Sequence, residues 1–325
     1  MAEETILSVS DLHIDYYTPE GVIRAVRGAS LKLCKGESLC IVGESGSGKS
    51  TVGLAIVRAL PPNAVVAKGE IVYCGIDILR LSEEEMSKRI RGKEISIVFQ
   101  DPVAIFNPLF TVGDVLSDVI STHLGIRDRK KVYEHGIRML KLVELPDPER
   151  IMNSYPHELS GGMLQRAAIA VALSANPKLL IADEPTTMLD VTIQAQILDL
   201  LKRLRKEFSL SMIFITHNLG VAAEVCDRVV VMYAGTLFEE GSTEDILANP
   251  IHPYTRKLIE CIPRASRKVL RLKSIPGSLP DLRTHLPGCP FAPRCDYAMD
   301  ICRSSPPPVY EAGYRHRVLC HLYKK

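Results

Sequence analysis

The sequence carries almost no excess charge: 40 Lys and Arg stand against 38 Asp and Glu, a formal +2 at neutral pH over 325 residues. A protein that coats nucleic acid needs a large positive surplus, so that class is disfavoured and no nucleic-acid partner is expected. Long apolar runs are missing too. The best are stretches such as residues 167–173, far below the roughly 20 residues that a helix needs to cross a bilayer. A basic leader is also lacking, since the first charged residues are Glu3 and Glu4, and the chain is expected to be neither secreted nor membrane-spanning. Cysteine is odd in number, nine without a leader, which points to reduced thiols in a cytoplasmic setting rather than a disulfide framework. There is no internal repeat and no low-complexity tract beyond Pro306, Pro307 and Pro308. What remains, 46% hydrophobic and 24% charged residues, is enough to bury a core and argues against global disorder.

The composition shifts near Pro263. From residue 262 onward 12 Lys and Arg face only 4 Asp and Glu, while nine of the 21 prolines and Cys289, Cys295, Cys302 and Cys320 crowd into the same tail. Helical periodicity is nearly absent there, so the tail is expected to be a small, irregular, separately stapled unit. Upstream, apolar runs at 39–42, 95–99, 179–182, 212–215 and 229–232 read as buried strands, separated by helical stretches such as 52–60 and 193–208. That alternation predicts an α/β chain with a parallel core, and 110–175 reads as mainly helical.

Two motifs carry chemistry. Gly43-Glu44-Ser45-Gly46-Ser47-Gly48-Lys49-Ser50-Thr51 follows a strand and opens a helix, the context that a phosphate-binding loop requires. Its glycines let successive N–H groups and the helix N-terminus face an anion; Lys49 adds a charge near the β and γ phosphates, and Ser50 offers a hydroxyl to Mg²⁺. The second motif is Leu179-Leu180-Ile181-Ala182-Asp183-Glu184, an apolar strand ending in two acids. Asp183 is suited to hold Mg²⁺ or its water, and Glu184 to polarise the water that attacks a γ phosphate.

Further residues extend the pattern. Leu159-Ser160-Gly161-Gly162-Met163 lies about twenty residues before the acidic strand end and opens a helix suited to a phosphate. It resembles the signature of the ATP-binding cassette ATPases, and the resemblance runs over roughly residues 4–260 in the family's order. It implies a P-loop NTPase fold of that family: a parallel-core sheet, a helical subdomain at about 110–175 and an N-terminal antiparallel β part. Gln100 resembles the Q-loop glutamine, which touches nucleotide and Mg²⁺. His217 resembles the switch histidine, and Asp190, in Pro185-Thr186-Thr187-Met188-Leu189-Asp190, the D-loop aspartate. Tyr16 matches the aromatic that stacks on adenine, with Tyr17 as the fallback. The family's catalytic roles then fall on Glu184, His217, Gln100 and Lys49. Nucleotide contacts fall on Gly43, Ser45, Gly46, Ser47, Gly48, Lys49, Ser50 and Thr51, with Ser160, Gly161 and Gly162 covering ATP held by a partner cassette. Hydrolysis then requires a head-to-tail pair.

Within that family, Met163 together with Asp190-Val191-Thr192-Ile193-Gln194-Ala195-Gln196, Phe99-Gln100-Asp101-Pro102, Met232-Tyr233-Ala234-Gly235 and His252-Pro253-Tyr254-Thr255 resembles the D-type ATP-binding subunit of oligopeptide and dipeptide importers. Met188, Leu164 and Asn218 depart from the usual Ala, Arg and Asp. The resemblance implies a nucleotide-binding domain over 1–261 and a cysteine-bearing transporter-type extension over 262–325. It also implies an F-type ATP-binding partner, two transmembrane permease subunits, an external solute-binding protein acting indirectly, and a peripheral place on the cytoplasmic membrane face. Related systems carry oligosaccharides or nickel, and a soluble cassette acting on RNA or ribosomes is the alternative. The spacing Cys289-x5-Cys295-x6-Cys302-x17-Cys320 lacks the close C-x2-C pairs of structural zinc sites. The matching tail in D-type subunits resembles a four-cysteine iron-sulfur site, so a [4Fe-4S] cluster is expected, with Zn²⁺ as the alternative. Arg294, Arg303, Arg315 and Arg317 are expected to offset the thiolate charge.

Overall fold

A computed structural model describes residues 4–262 and 274–323, and these fall into two compact units. The first comprises the described residues of Met1–Cys34, Ser38–Leu79 and Phe214–Lys325; the second comprises Lys35–Glu37 and Arg80–Ile213. The boundary expected near Pro263 lies outside the described residues. In chain order the strands are β1 (Thr5–Thr18), β2 (Gly21–Cys34), β3 (Ser38–Val42), β4 (Ala64–Tyr73), β5 (Ile76–Asp77), β6 (Ile95–Val98), β7 (Leu179–Asp183), β8 (Ser211–Thr216), β9 (Arg228–Tyr233), β10 (Thr236–Ser242), β11 (Val309–Gly313) and β12 (His316–Leu319).

The first unit holds the antiparallel part, a sheet in the order β2-β1-β4-β5. Leu7 stands opposite Leu33 and Ile14 opposite Val26, while Val9 faces Ile71 on β4. Leu7, Val9, Leu12 and Ile14 are all buried. Their alternation breaks between Val9 and Leu12, where the pairing register shifts, as an inserted residue in one strand requires.

A second sheet of this unit runs β11-β12-β10-β9-β3 and continues to the end of β8. β3 and β9 are parallel, Ile41 opposite Val230, and every residue of both is buried. Near-continuous Val and Ile runs suit a sheet covered on both faces. The outer strands come from the tail, which is not irregular throughout: β12 pairs antiparallel with β10, Glu240 opposite Arg317, and β11 pairs with β12. Charge fastens this edge. The buried Glu239 carboxylate accepts the N–H groups of Ile251 and His252 and faces His316 Nε2 at 2.9 Å. Glu240 accepts from both Arg228 and Arg317. Such charge-assisted bonds are about twice as strong as neutral ones.

In the second unit β7 lies between the start of β8 and β6, with Ile97 opposite Ile181 in a parallel pair. Its helices include Val112–Leu124, Arg129–Leu142, Gly161–Leu173 and Val191–Phe208. Thr111 and Asp114 form a reciprocal cap on the first, satisfying N–H groups that a helix start leaves open. The longest buries Ile197, Leu198, Leu200, Leu201 and Leu204, the spacing of one apolar helix face. Among the described residues no helix is long and apolar enough to cross a membrane.

Candidate functional site

The phosphate loop sits between β3 and the helix Lys49–Ile56 in the first unit. A side chain at Gly43 would put its Cβ 2.1 Å from the Met232 carbonyl oxygen, and one at Gly48, where φ is +99°, 2.4 Å from that of Ala25. Glycine is therefore required at both ends of the loop. No side chain among the described residues caps the following helix, so its first-turn N–H groups remain available to an anion. Lys49 is buried, and its ammonium donates to the Gly43 and Glu44 carbonyls at 2.9 and 3.0 Å. The Ser47 hydroxyl is buried with no hydrogen-bond partner among the described residues. Ser45 and Gly46 are exposed and Ser50 half-buried. Tyr16 is tied to the same helix, its hydroxyl 3.2 Å from the Thr51 hydroxyl, whereas Tyr17 stands 55% exposed. Tyr16 is thus placed against the helix that follows the loop. His217 is exposed beyond β8, and Asn218 beside it accepts the Gly220 N–H as the cap of Leu219–Val225. An amide serves that cap as well as the usual acid.

The second unit carries the other named residues. Asp183 is the buried last residue of β7. Glu184 follows with φ at +45°, an uncommon backbone for a residue with a side chain, and its Oε2 accepts the Thr187 hydroxyl at 2.8 Å. Gln100 lies exposed just past β6. Ser160 caps Gly161–Leu173 and Asp190 caps Val191–Phe208, accepting from the Ile193 N–H at 3.0 Å. The structure brings these two helix starts together: a Cβ at Gly162 would stand 2.8 Å from Ile193 Cγ2, so the close approach needs glycine. Of the departures noted above, Leu164 is buried and Met188 is 70% exposed.

Cys289, Cys295, Cys302 and Cys320 all line one cavity of the first unit, beside Phe291 and Leu322. Among the described residues no group of three or more His, Cys, Asp or Glu side chains is arranged to hold a metal ion. Burial pushes the Cys289 thiol up to about 12, and the charges of Cys302, Cys320 and Cys295 add to it. Burial raises Cys295 and Cys320 as well. Of the four arginines expected around these thiols, Arg303 is exposed and the other three have partners elsewhere. Arg294 binds Glu44, Arg317 binds Glu240 and the Ser30 carbonyl, and Arg315 reaches Cys34 Sγ. For Arg294 and Arg317, a carboxylate within reach outcompetes protonated thiols for the guanidinium. The cations that lower the thiol values are instead Lys257 at Cys295 and Arg256 at Cys320. Sequence reasoning missed the contact of Arg294 with the phosphate loop, because its partner lies 250 residues away and no local pattern joins them.

The sequence matches the ABC transporter family over residues 26–187 and the oligopeptide/dipeptide transporter C-terminal region over 238–302. It is 47% identical over 319 residues to a probable peptide ABC transporter ATP-binding protein, y4tR, of Sinorhizobium fredii, covering 98% of this chain and 95% of that protein. It is also 47% identical to the dipeptide transport ATP-binding protein DppD of Bacillus subtilis, with coverage of 98% and 95%. Among solved structures, the dimeric post-hydrolysis state of the ATP-binding cassette MJ0796 bound to ADP and Pi is similar with a TM-score of 0.66 at 30% identity, covering 73% of this chain and 98% of that one.

Proposed function

Because the chain belongs to the ATP-binding cassette transporter family, as an ATP-hydrolysing subunit of its oligopeptide and dipeptide branch, we propose that it drives peptide uptake through separate permease subunits. The observation that carries this reading is the phosphate loop with its uncapped helix start, closed to side chains at Gly43 and Gly48, joined in one chain to the transporter-type C-terminal region. The N–H groups of the loop and the Lys49 ammonium hold the β and γ phosphates, and the Ser47 hydroxyl is a further donor for them. Tyr16 stacks on the adenine. Bound Mg²⁺ supplies positive charge to the phosphate oxygens; the Ser50 hydroxyl, the Asp183 carboxylate and Gln100 are the groups that would hold it. Glu184 accepts a hydrogen bond from the attacking water and takes its proton as the water oxygen bonds to the γ phosphorus and the bridging oxygen leaves with ADP. His217 donates to the γ phosphate. Ser160, Gly161 and Gly162, with Asp190, cover the ATP of a partner cassette, and this partner is an F-type subunit.

Exposed Val103, Leu109 and Phe110 follow Gln100 in the second unit and form the permease-facing surface. The permeases hold the chain at the cytoplasmic face of the membrane. The four cysteines line one cavity but, among the described residues, are not arranged to hold a metal ion; the preference for a [4Fe-4S] cluster over Zn²⁺ rests on their spacing and on the resemblance of the tail to four-cysteine iron-sulfur sites. Thiols raised by burial must lose their protons for ligation, and Cys289, Cys295, Cys302 and Cys320 would do so against the positive charge that a bound cluster would supply. The test of the transport reading is reconstitution. Purified with its permeases and F-type partner in vesicles, the complex should take up peptide in an ATP-dependent way, and Lys49→Ala should weaken nucleotide binding. ATP hydrolysis that no peptide or permease affects would overturn the reading.

A further inference from the structure

A carboxylate stands in the phosphate loop itself. Glu44 occupies the loop's second position, and its side chain is 27% exposed. Both of its oxygens accept from Arg294 Nη1, at 3.1 and 3.0 Å. The guanidinium is itself only 6% exposed and is held on every side: Nε donates to the Pro276 carbonyl at 2.8 Å, Nη2 to that of Ile275 at 3.1 Å, and Nη1 also to the Tyr233 hydroxyl at 3.2 Å. The contact does not stand alone. The Glu44 N–H donates to the Tyr254 hydroxyl at 3.0 Å, and Tyr254 packs against both Tyr233 and Phe291. Leu279 Cδ1 lies 3.4 Å from the place a Cβ at Gly46 would take. The C-terminal segment therefore binds one position of the phosphate loop through charge and stands close beside a second.

An acid beside a polyphosphate site repels the ligand unless its charge is cancelled, and the repulsion grows where water is scarce. We propose that Arg294 is a positioning residue for nucleotide binding: it holds and neutralises Glu44, which makes the C-terminal segment part of the phosphate site. The proposal rests on the reading of the chain as an ATP-binding cassette. It gives the extension a task distinct from carrying four cysteines, and it explains why a buried guanidinium sits one residue before Cys295.

The test is second-site rescue. MgATP binding to the purified full-length chain is measured by calorimetry for wild type, Arg294→Ala, Glu44→Gln and the double variant, with iron per chain and melting temperature recorded in parallel. Loss of Arg294 leaves an uncompensated carboxylate and should weaken binding about 5- to 30-fold. Removing that carboxylate in the same chain should bring the double variant back to within about threefold of wild type. Arg294→Lys should retain most of the affinity. Arg294→Gln, which keeps an amide donor for the Ile275 and Pro276 carbonyls, carries the same comparison if Arg294→Ala does not fold. Wild-type affinity in both uncharged Arg294 variants would overturn the proposal. So would a double variant as weak as Arg294→Ala, since Arg294 would then act only by holding the segment in place. A wild-type chain that binds no MgATP would instead overturn the ATPase reading beneath it.

Discussion

A single methyl group added at Gly43 tests whether the phosphate loop is held by backbone contact. The added Cβ would lie 2.1 Å from the Met232 carbonyl oxygen and 2.9 Å from Ser47 Oγ. The first distance is roughly 1 Å or more inside an ordinary contact, and it is to backbone at the end of a fully buried strand. The strand cannot move without disturbing its pairing with β3, so the loop must move instead. A displacement of about 1 Å in a group that positions a substrate is sufficient to cost about 100-fold, and the overpacking itself costs about 1–3 kcal/mol of stability. Gly43→Ala should therefore bind MgATP at least tenfold more weakly, by a margin its lower melting temperature does not explain. Gly75→Ala is the control. Its φ is +80° but nothing lies within 4 Å of the added carbon, so it should lose about 1–2 kcal/mol of stability and no affinity. Equal affinity of Gly43→Ala and wild type, measured by titration calorimetry, would refute the reasoning.

Other expectations follow from the buried charges and the cysteines. Glu240 is the common partner of Arg228 and Arg317, with the Arg228 side chain 5% exposed, so Glu240→Ala should cost about 3–5 kcal/mol in denaturant unfolding; a loss under 1 kcal/mol would contradict the packing described. Burial, helped by Arg256, lowers His252 to about 3, and its Nδ1 accepts the Tyr254 N–H at 3.0 Å. The folded state thus prefers neutral imidazole: this contribution is present above pH 6.5 and is lost as pH falls from there toward 3, by up to about 1.4 kcal/mol per pH unit. His252→Asn should flatten the stability profile across that window, and an unchanged slope would count against it. Anaerobically purified protein should be brown with about four irons per chain. Replacing any of Cys289, Cys295, Cys302 or Cys320 by Ser should bleach it, and replacing Cys226 or Cys261 should not. One zinc in colourless protein would select zinc, and a folded, metal-free chain would defeat both metals.

The parts of the fold written in local pattern were legible. The runs at 39–42 and 179–182 became β3 and β7 with one residue added to each, because fully buried parallel strands need continuous apolar sequence. The helix read as 193–208 begins two residues earlier, at Val191, since Asp190 is its cap and a polar residue can belong to either side of a boundary. Gly43, Gly46 and Gly48 fall in the loop between β3 and the following helix, and Asp183 and Glu184 at the end of β7. What stayed hidden is non-local. The tail strands β11 and β12 are short, and it is the pairing of β12 with β10 and of β11 with β12 that makes them strands. The partners of Arg294 and Arg317 are set by where the chain returns, so the sequence suggested the nearby thiols instead. The bulge in β1 likewise breaks an alternation that would have marked the strand.

The central claim is that this chain hydrolyses ATP with Glu184 orienting the water, in company with a second cassette. It is tested most directly by Glu184→Gln in the complex assembled with permeases and F-type partner, following ATP binding and phosphate release together. The amide keeps the shape and loses the carboxylate, so MgATP affinity should stay within about threefold of wild type while multiple-turnover hydrolysis at this site falls by about 10²- to 10⁴-fold. Phosphate release at the wild-type rate from the Glu184→Gln complex would contradict the account.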